Sequence, residues 1–132
     1  MNNDTEKGYL KISVTEAGGT IPIKGALVVI TEYGDDDGES VNVLYSLTTD
    51  ESGYTPTLAL DAPVKSESMM PGAYQPYALY NINVVFDRYY PVESVGVPVF
   101  AGVTSIQPIN LLPLSEKAFI AGTDNGNDRT LP

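Results

Sequence analysis

Residues 47–60, Leu47-Thr48-Thr49-Asp50-Glu51-Ser52-Gly53-Tyr54-Thr55-Pro56-Thr57-Leu58-Ala59-Leu60, read as strand, tight turn and strand. Asp50 is placed to accept hydrogen bonds from the backbone N–H groups ahead of it, and Gly53 takes a positive φ at no steric cost. Val43, Tyr45, Leu47 and Thr49 share one parity before the turn, and Leu58 and Leu60 share one after it. Each arm therefore offers a single face to a core, the period-two signature of a half-buried strand.

The same pattern continues outward in both directions. A strand over 8–15 puts Leu10, Ile12 and Val14 on one face and Lys11 and Ser13 on the other. A second, over 24–33, carries Ala26, Val28 and Ile30 on one side and Leu27 and Val29 on the other. Apolar residues on both sides imply a strand covered on both faces, or an outer face set against a partner. A charged hairpin tip, Asp35-Asp36-Asp37-Gly38-Glu39, leads to a third strand over 41–49, and the fourth ends near Leu60. Residues 61–76 read as irregular, punctuated by Pro63, Pro71, Gly72 and Pro76, with Met69-Met70 as a plug beneath the loop. The fifth strand, 79–87, turns Tyr80, Ile82, Val84 and Phe86 inward and Asn81 and Asn83 outward. Pro91 and Pro98 restrict 89–100 to edge or bulged conformations, and a last strand over 103–111 turns Ile109 and Leu111 inward.

No helical period occurs anywhere. The expectation is an all-β fold, a single Greek-key β-sandwich of about seven strands (prealbumin-like or Ig-like). Its core is expected to gather Leu10, Ile12, Val28, Ile30, Leu47, Leu58, Ile82, Val84, Phe86 and Leu111. A polar lead, 1–7, precedes the sandwich at 8–114, and an extended C-terminal tail, 115–132, follows it with one apolar cluster, Ala118-Phe119-Ile120.

At 132 residues the chain fits one domain able to bury a core without covalent staples. Cysteine and histidine are both absent. That excludes disulfides, zinc–thiolate sites and thiol nucleophiles, and removes the commonest general base and transition-metal ligand. A net charge of −10 repels phosphate backbones and argues against nucleic-acid binding. No apolar run approaches the ~20 residues of a membrane span. The polar opening Met1-Asn2-Asn3-Asp4-Thr5-Glu6-Lys7 lacks the apolar core of a secretory signal, so synthesis in the cytoplasm is expected.

Three segments in order carry a family resemblance: Gly8-Tyr9-Leu10-Lys11-Ile12-Ser13-Val14, Pro22-Ile23-Lys24-Gly25-Ala26-Leu27-Val28-Val29-Ile30, and Leu47-Thr48-Thr49-Asp50-Glu51-Ser52-Gly53. Together they resemble the carboxypeptidase regulatory-like (transthyretin/prealbumin-like) β-sandwich. Pro76-Tyr77-Ala78-Leu79-Tyr80-Asn81-Ile82-Asn83-Val84 and Ile109-Asn110-Leu111-Leu112-Pro113 are similar to the amino-terminal domain of clostridial spore-cortex-lytic proteins and related phage-associated proteins. The resemblance covers about Gly8 to Pro113 and implies a non-catalytic appendage of the kind attached to enzymes. Arg88 departs from it, standing where the group often has glycine before its tyrosine.

Catalysis is not expected, and neither is any cofactor or metal. Serine and threonine have no histidine to activate them, Ser-x-x-Lys and Gly-x-Ser-x-Gly are missing, and carboxylates cluster only in exposed-looking runs. Transthyretin-like hydrolases of the same broad fold rely on histidines that this chain lacks. The three consecutive aspartates of 35–39 point in divergent directions, whereas an EF-hand spaces its ligands at alternate positions. The internal Lys–Asn isopeptide bond of related pilin-type sandwiches would require Lys11 and Asn110 in the core, but alternation turns both outward.

The candidate partner-binding residues are tyrosines and the tail. Tyr77, Tyr89 and Tyr90, in a cluster with Tyr74 and Tyr80 and beside Pro76 and Pro91, form a candidate platform for glycan or peptide, with core and loop packing as the alternative. Phe119 and Ile120 are expected to dock on a protein partner or a neighbouring subunit, or else to fold back and cap an exposed edge of their own sandwich. The function expected is a non-catalytic structural or interaction module that docks on a larger assembly, a phage particle or a spore-associated complex. The alternative is an accessory module for glycan, peptidoglycan or a partner lytic enzyme.

Overall fold

The computed structural model describes residues 5–34, 42–64 and 76–115, and among them the secondary structure is entirely β. Two sheets pack face to face. In the first, β1 (Thr5–Glu16) is central. β8 (Thr104–Leu111) runs parallel to residues 9–16 of β1 along one edge, Tyr9 opposite Thr104 and Glu16 opposite Leu111. Antiparallel β5 (Leu58–Pro63) and the two-residue β2 (Ile21–Pro22) share the other edge, at residues 5–10 and 15–16 of β1. The second sheet runs β4 (Val43–Thr48), β3 (Leu27–Glu32), β6 (Tyr77–Val85), β7 (Val92–Phe100), antiparallel throughout.

The arms of the central turn do not pair with each other. β4 lies against β3 and β5 against β1, so the turn carries the chain from one sheet to the other. The Asp50 carboxylate accepts the N–H groups of Ser52 (2.9 Å) and Tyr54 (3.0 Å), and the Gly53 N–H donates to the Asp50 carbonyl. These donors, the Tyr54 N–H first, hold the Asp50 carboxyl below the usual carboxylate range. Its contribution to stability is accordingly present at neutral pH and lost as pH falls through that lowered value.

Two buried threonines fasten the turn on either side. Thr49 Oγ1 accepts the Ala26 N–H (3.0 Å) and donates to the Ile23 carbonyl (2.6 Å). Thr55 Oγ1 accepts the Ile12 N–H (3.0 Å) and donates to the Pro56 carbonyl (2.9 Å). Each hydroxyl is thus satisfied as both donor and acceptor, which is what makes its burial tolerable.

The core forms where alternation places it. Leu10, Ile12, Val28, Ile30, Leu58, Ile82, Val84 and Leu111 are buried, and Leu47 and Phe86 are half-buried against them. Tyrosine hydroxyls close the flanks: Tyr45 donates to the Ala59 carbonyl (2.8 Å) and Tyr80 to the Asp61 carbonyl (2.5 Å).

Several strand boundaries differ from expectation, most at the β1–β5 pairing. Thr5–Lys7, placed in the polar lead, belong to β1 and pair with Asp61–Pro63, which were placed in the irregular segment. The side chains of Thr5–Lys7 are exposed, so β1 shows no apolar pattern here, whereas on β5 the buried alternation of Leu58 and Leu60 continues to Ala62. The Lys7–Asp61 ion pair at 2.6 Å is equally exposed and adds little. The proline-restricted segment is β7, which shifts register opposite Tyr80–Ile82 around Gly96 (φ +75°), a bulge of the expected kind.

Arg88 takes φ +74° in the turn between β6 and β7. The left-handed region costs a residue with Cβ about 1–2 kcal/mol, and glycine almost nothing. Arg88→Gly is therefore expected to raise the melting temperature by a few degrees. A fall would show that the contacts of the arginine side chain outweigh the relief of backbone strain.

Candidate interaction face

In the second sheet the inward residues are spoken for by the core, and the outward ones define its outer surface. On β3 these are Leu27 and Val29, with Thr31 of the same parity buried; on β6 Tyr77, Leu79, Asn81, Asn83 and Val85; on β7 Glu93, Val95, Pro98 and Phe100. Leu27 stands opposite Val85, Val29 opposite Asn83, Leu79 opposite Pro98 and Tyr77 opposite Phe100. The last pair meets edge to face, ring centroids 5.6 Å apart at 67°. Asn81 is used locally: its Oδ1 accepts the Gly96 N–H (3.0 Å) and its Nδ2 donates to the Glu32 carbonyl (3.4 Å). Glu93 is the single formal charge among these outward positions, in a chain that carries 17 acidic and 7 basic residues.

Leu27 and Val85 remain 37% and 43% exposed. The apolar outer side of the second predicted strand is therefore real and uncovered among the described residues. Sequence reasoning missed its continuation through Leu79, Val85, Pro98 and Phe100. The available signal was that Leu79 and Val85 share the parity of the outward Asn81 and Asn83.

The three candidate tyrosines do not form one platform. Tyr77 starts β6, whereas Tyr89 and Tyr90 follow its far end, roughly 27 Å away at ~3.3 Å per residue. Tyr89 is half-buried with its ring 5.5 Å from Phe86, and the Glu16 carboxylate, hydrogen-bonded to its hydroxyl, raises its pKa. Tyr90 is exposed, and its N–H donates to the Leu112 carbonyl. Tyr74, Phe119, Ile120, the acidic tip Asp35–Glu39 and Met69-Met70 lie outside the described residues. Asn110 is exposed on β8, and Lys11 is set over the Tyr54 ring, its Nζ 4.5 Å from the centroid. A hollow of about 400 Å³ beside the central turn is lined by Lys24, Asp50, Glu51 and Ser52. Asp50 already serves its own turn there, and Lys24 lies 3.7 Å from Glu51. Among the described residues no group of histidine, cysteine, aspartate and glutamate is gathered to hold a metal, and no helix is long and apolar enough to cross a membrane.

No family model and no curated protein matches the chain. Among solved structures it is similar to 3-chlorocatechol 1,2-dioxygenase from Rhodococcus opacus 1CP, with 12% identity over 86% of this chain and 62% of that one, TM-score 0.52. Catechol 1,2-dioxygenase from Acinetobacter radioresistens aligns at 15% identity over 87% of this chain and 54% of that one, TM-score 0.54. The chain thus spans between half and two thirds of these enzymes' length. A 5-hydroxyisourate hydrolase from Klebsiella pneumoniae aligns at 16% identity over 81% of this chain and 92% of that one, at a looser TM-score of 0.44.

These likenesses correct the expectation that the chain is not an enzyme, because the dioxygenases that share its fold are enzymes. The reasoning from composition was too broad. A lack of histidine and cysteine removes triads, thiol nucleophiles and imidazole ligands, but not chemistry carried by carboxylates, tyrosines or lysines. At 12–15% identity the likeness is one of fold, and no activity passes through it. Of the family resemblance, the β-sandwich is supported, and the clostridial spore-cortex-lytic link finds no support among these matches.

Proposed function

We propose that the chain is an interaction module that docks on a larger assembly through the outer face of the β3–β6–β7 sheet, with the C-terminal segment bearing Phe119 and Ile120 as a second contact. The observation that carries this reading is a pair of outward apolar groups, Leu27, Val29 and Val85 at one end of the face and Tyr77, Leu79, Pro98 and Phe100 at the other, separated by Asn81 and Asn83 and with Glu93 the one formal charge among these positions. Single exposed apolar residues need no explanation, but apolar residues that neighbour one another across strands point to an interaction surface. A net charge of −10 resists non-specific association, so contact is favoured where the charge is thinnest. A phage particle or a spore-associated complex is the assembly suggested by the sequence resemblance alone. The glycan alternative loses ground because Tyr77 stands far from Tyr89 and Tyr90.

Cell fractionation tests the proposal. The chain should sediment with particles or spores, and Val85→Glu should leave it in the supernatant with an unchanged melting temperature. Undiminished co-sedimentation of both Val85→Glu and Leu27→Glu would remove this face from the contact.

A further inference from the structure

We infer that the outer face of the first sheet, on the opposite side of the sandwich from the docking face, binds an acidic polysaccharide whose carboxylates are widely spaced. The Lys11 ammonium receives one carboxylate, and the rings of Tyr9 and Tyr54 flank it.

The face is laid out by β1. Leu10, Ile12 and Val14 fill the core, so Tyr9, Lys11 and Ser13 point outward. Parallel β8 sets Thr104 beside Tyr9 and Ile106 beside Lys11, and the far side of the central turn sets Tyr54 beside Ser13. Tyr9 and Ile106 are 37% and 56% exposed. Four residues separate Tyr9 from Ser13, so the two tyrosines stand roughly 13 Å apart along the strand at ~3.3 Å per residue, with Lys11 between them.

Lys11 differs from the other described lysines. Lys7 holds Asp61 at 2.6 Å and Lys24 lies 3.7 Å from Glu51. Lys11 makes no ion pair among the described residues, and its Nζ is held 4.5 Å from the centroid of the Tyr54 ring. The Asp50 carboxylate nearby is already engaged by the N–H groups of Ser52 and Tyr54. In a chain of net charge −10, an ammonium positioned by a ring and lacking a counter-ion is the place for an anionic group to attach.

Three features select the ligand. A single cation matches one carboxylate per few sugar units, while the acidic remainder of the chain repels a densely charged polyanion. Tyrosine offers a flat apolar face and a hydroxyl to a pyranose ring, and Ser13 and Thr104 add further hydroxyls beside it. An extended acidic peptide fits less well, because β1 is a central strand. Its backbone is paired with β8 on one side and with β5, β2 and the chain at Gly53–Thr55 on the other, so no strand can be added to it.

Calorimetric titration of the full chain at low salt tests the inference. Hyaluronan hexasaccharide, with one carboxylate per disaccharide, is compared with neutral chitohexaose and with a hexaglutamate peptide. The expected result is binding of the hyaluronan fragment at least about tenfold tighter than of either comparator, as a charge-assisted hydrogen bond supplies. Lys11→Met should remove that preference, and so should Ile106→Glu, which sets a carboxylate beside the ammonium at an exposed position. No binding of the hyaluronan fragment, equal affinity for chitohexaose or hexaglutamate, or unchanged affinity in either variant would overturn the inference. Val85→Glu, on the other sheet, should leave this binding intact, so its failure and the failure of co-sedimentation are read independently.

Discussion

Gly53→Ala should be among the most damaging single-methyl substitutions in the molecule, lowering stability by about 2–5 kcal/mol. Two costs coincide at this position. Its φ of +82° is in the left-handed region, which a residue with Cβ occupies at about 1–2 kcal/mol. The added Cβ would also stand 2.6 Å from the Val14 carbonyl oxygen and 3.1 Å from Pro22 Cβ. The Val14 carbonyl cannot withdraw, because it accepts the Ile23 N–H, while the Val14 N–H donates to the Gly53 carbonyl. Overpacking against fixed neighbours adds about 1–3 kcal/mol. Against a typical total of ~5–15 kcal/mol, that is a large share of the stability of a domain. Urea denaturation reads the effect directly, and a loss below about 1 kcal/mol would show that the turn is not seated on β1.

The second large effect is expected at the centre of β6. Ile82 is fully buried, between Ile30 of β3 and Ser94 of β7. Ile82→Ala removes three carbons from a closed core and should cost about 2–5 kcal/mol, the range for large-to-small changes that leave a cavity. Asn83→Ala, one residue along on the outer surface, should change stability by no more than ~0.5 kcal/mol. Comparable losses at the two positions would mean that β6 faces the other way.

These variants also mark what the sequence made legible and what it did not. Alternation in 79–87 sufficed to orient Ile82 and Val84, because a one-residue slip would expose the whole apolar set. Pro91 and Pro98 announced an edge or bulged segment for reasons local to their own backbones. What alternation does not carry is partnership. The turn at Asp50–Gly53 has the local chemistry of a hairpin, yet its arms belong to different sheets. That choice is made by Thr49 and Thr55, whose hydroxyls bond backbone on opposite sides of the turn. Thr5–Lys7 escaped notice because strand residues exposed on both sides have no period to read. The apolar outer face was half visible, in Leu27 and Val29. Its other half lies on β6 and β7, and only the register brings the pieces side by side.

The parallel pairing of β1 with β8 governs the order in which the molecule becomes a protein. Tyr9 waits for Thr104 and Glu16 for Leu111, so one edge of β1 stays bare until nearly all of the described chain has left the ribosome. The β3–β4 and β6–β7 hairpins close over short distances, but the first sheet depends on a contact that spans most of the sequence, and such pairings are slow to form. Until then the nascent chain carries an apolar strand with unpaired amides, the kind of edge that invites a neighbouring chain. The exposed Glu6 and Lys7 near its start and Glu16 at its end supply charge on that edge during the wait.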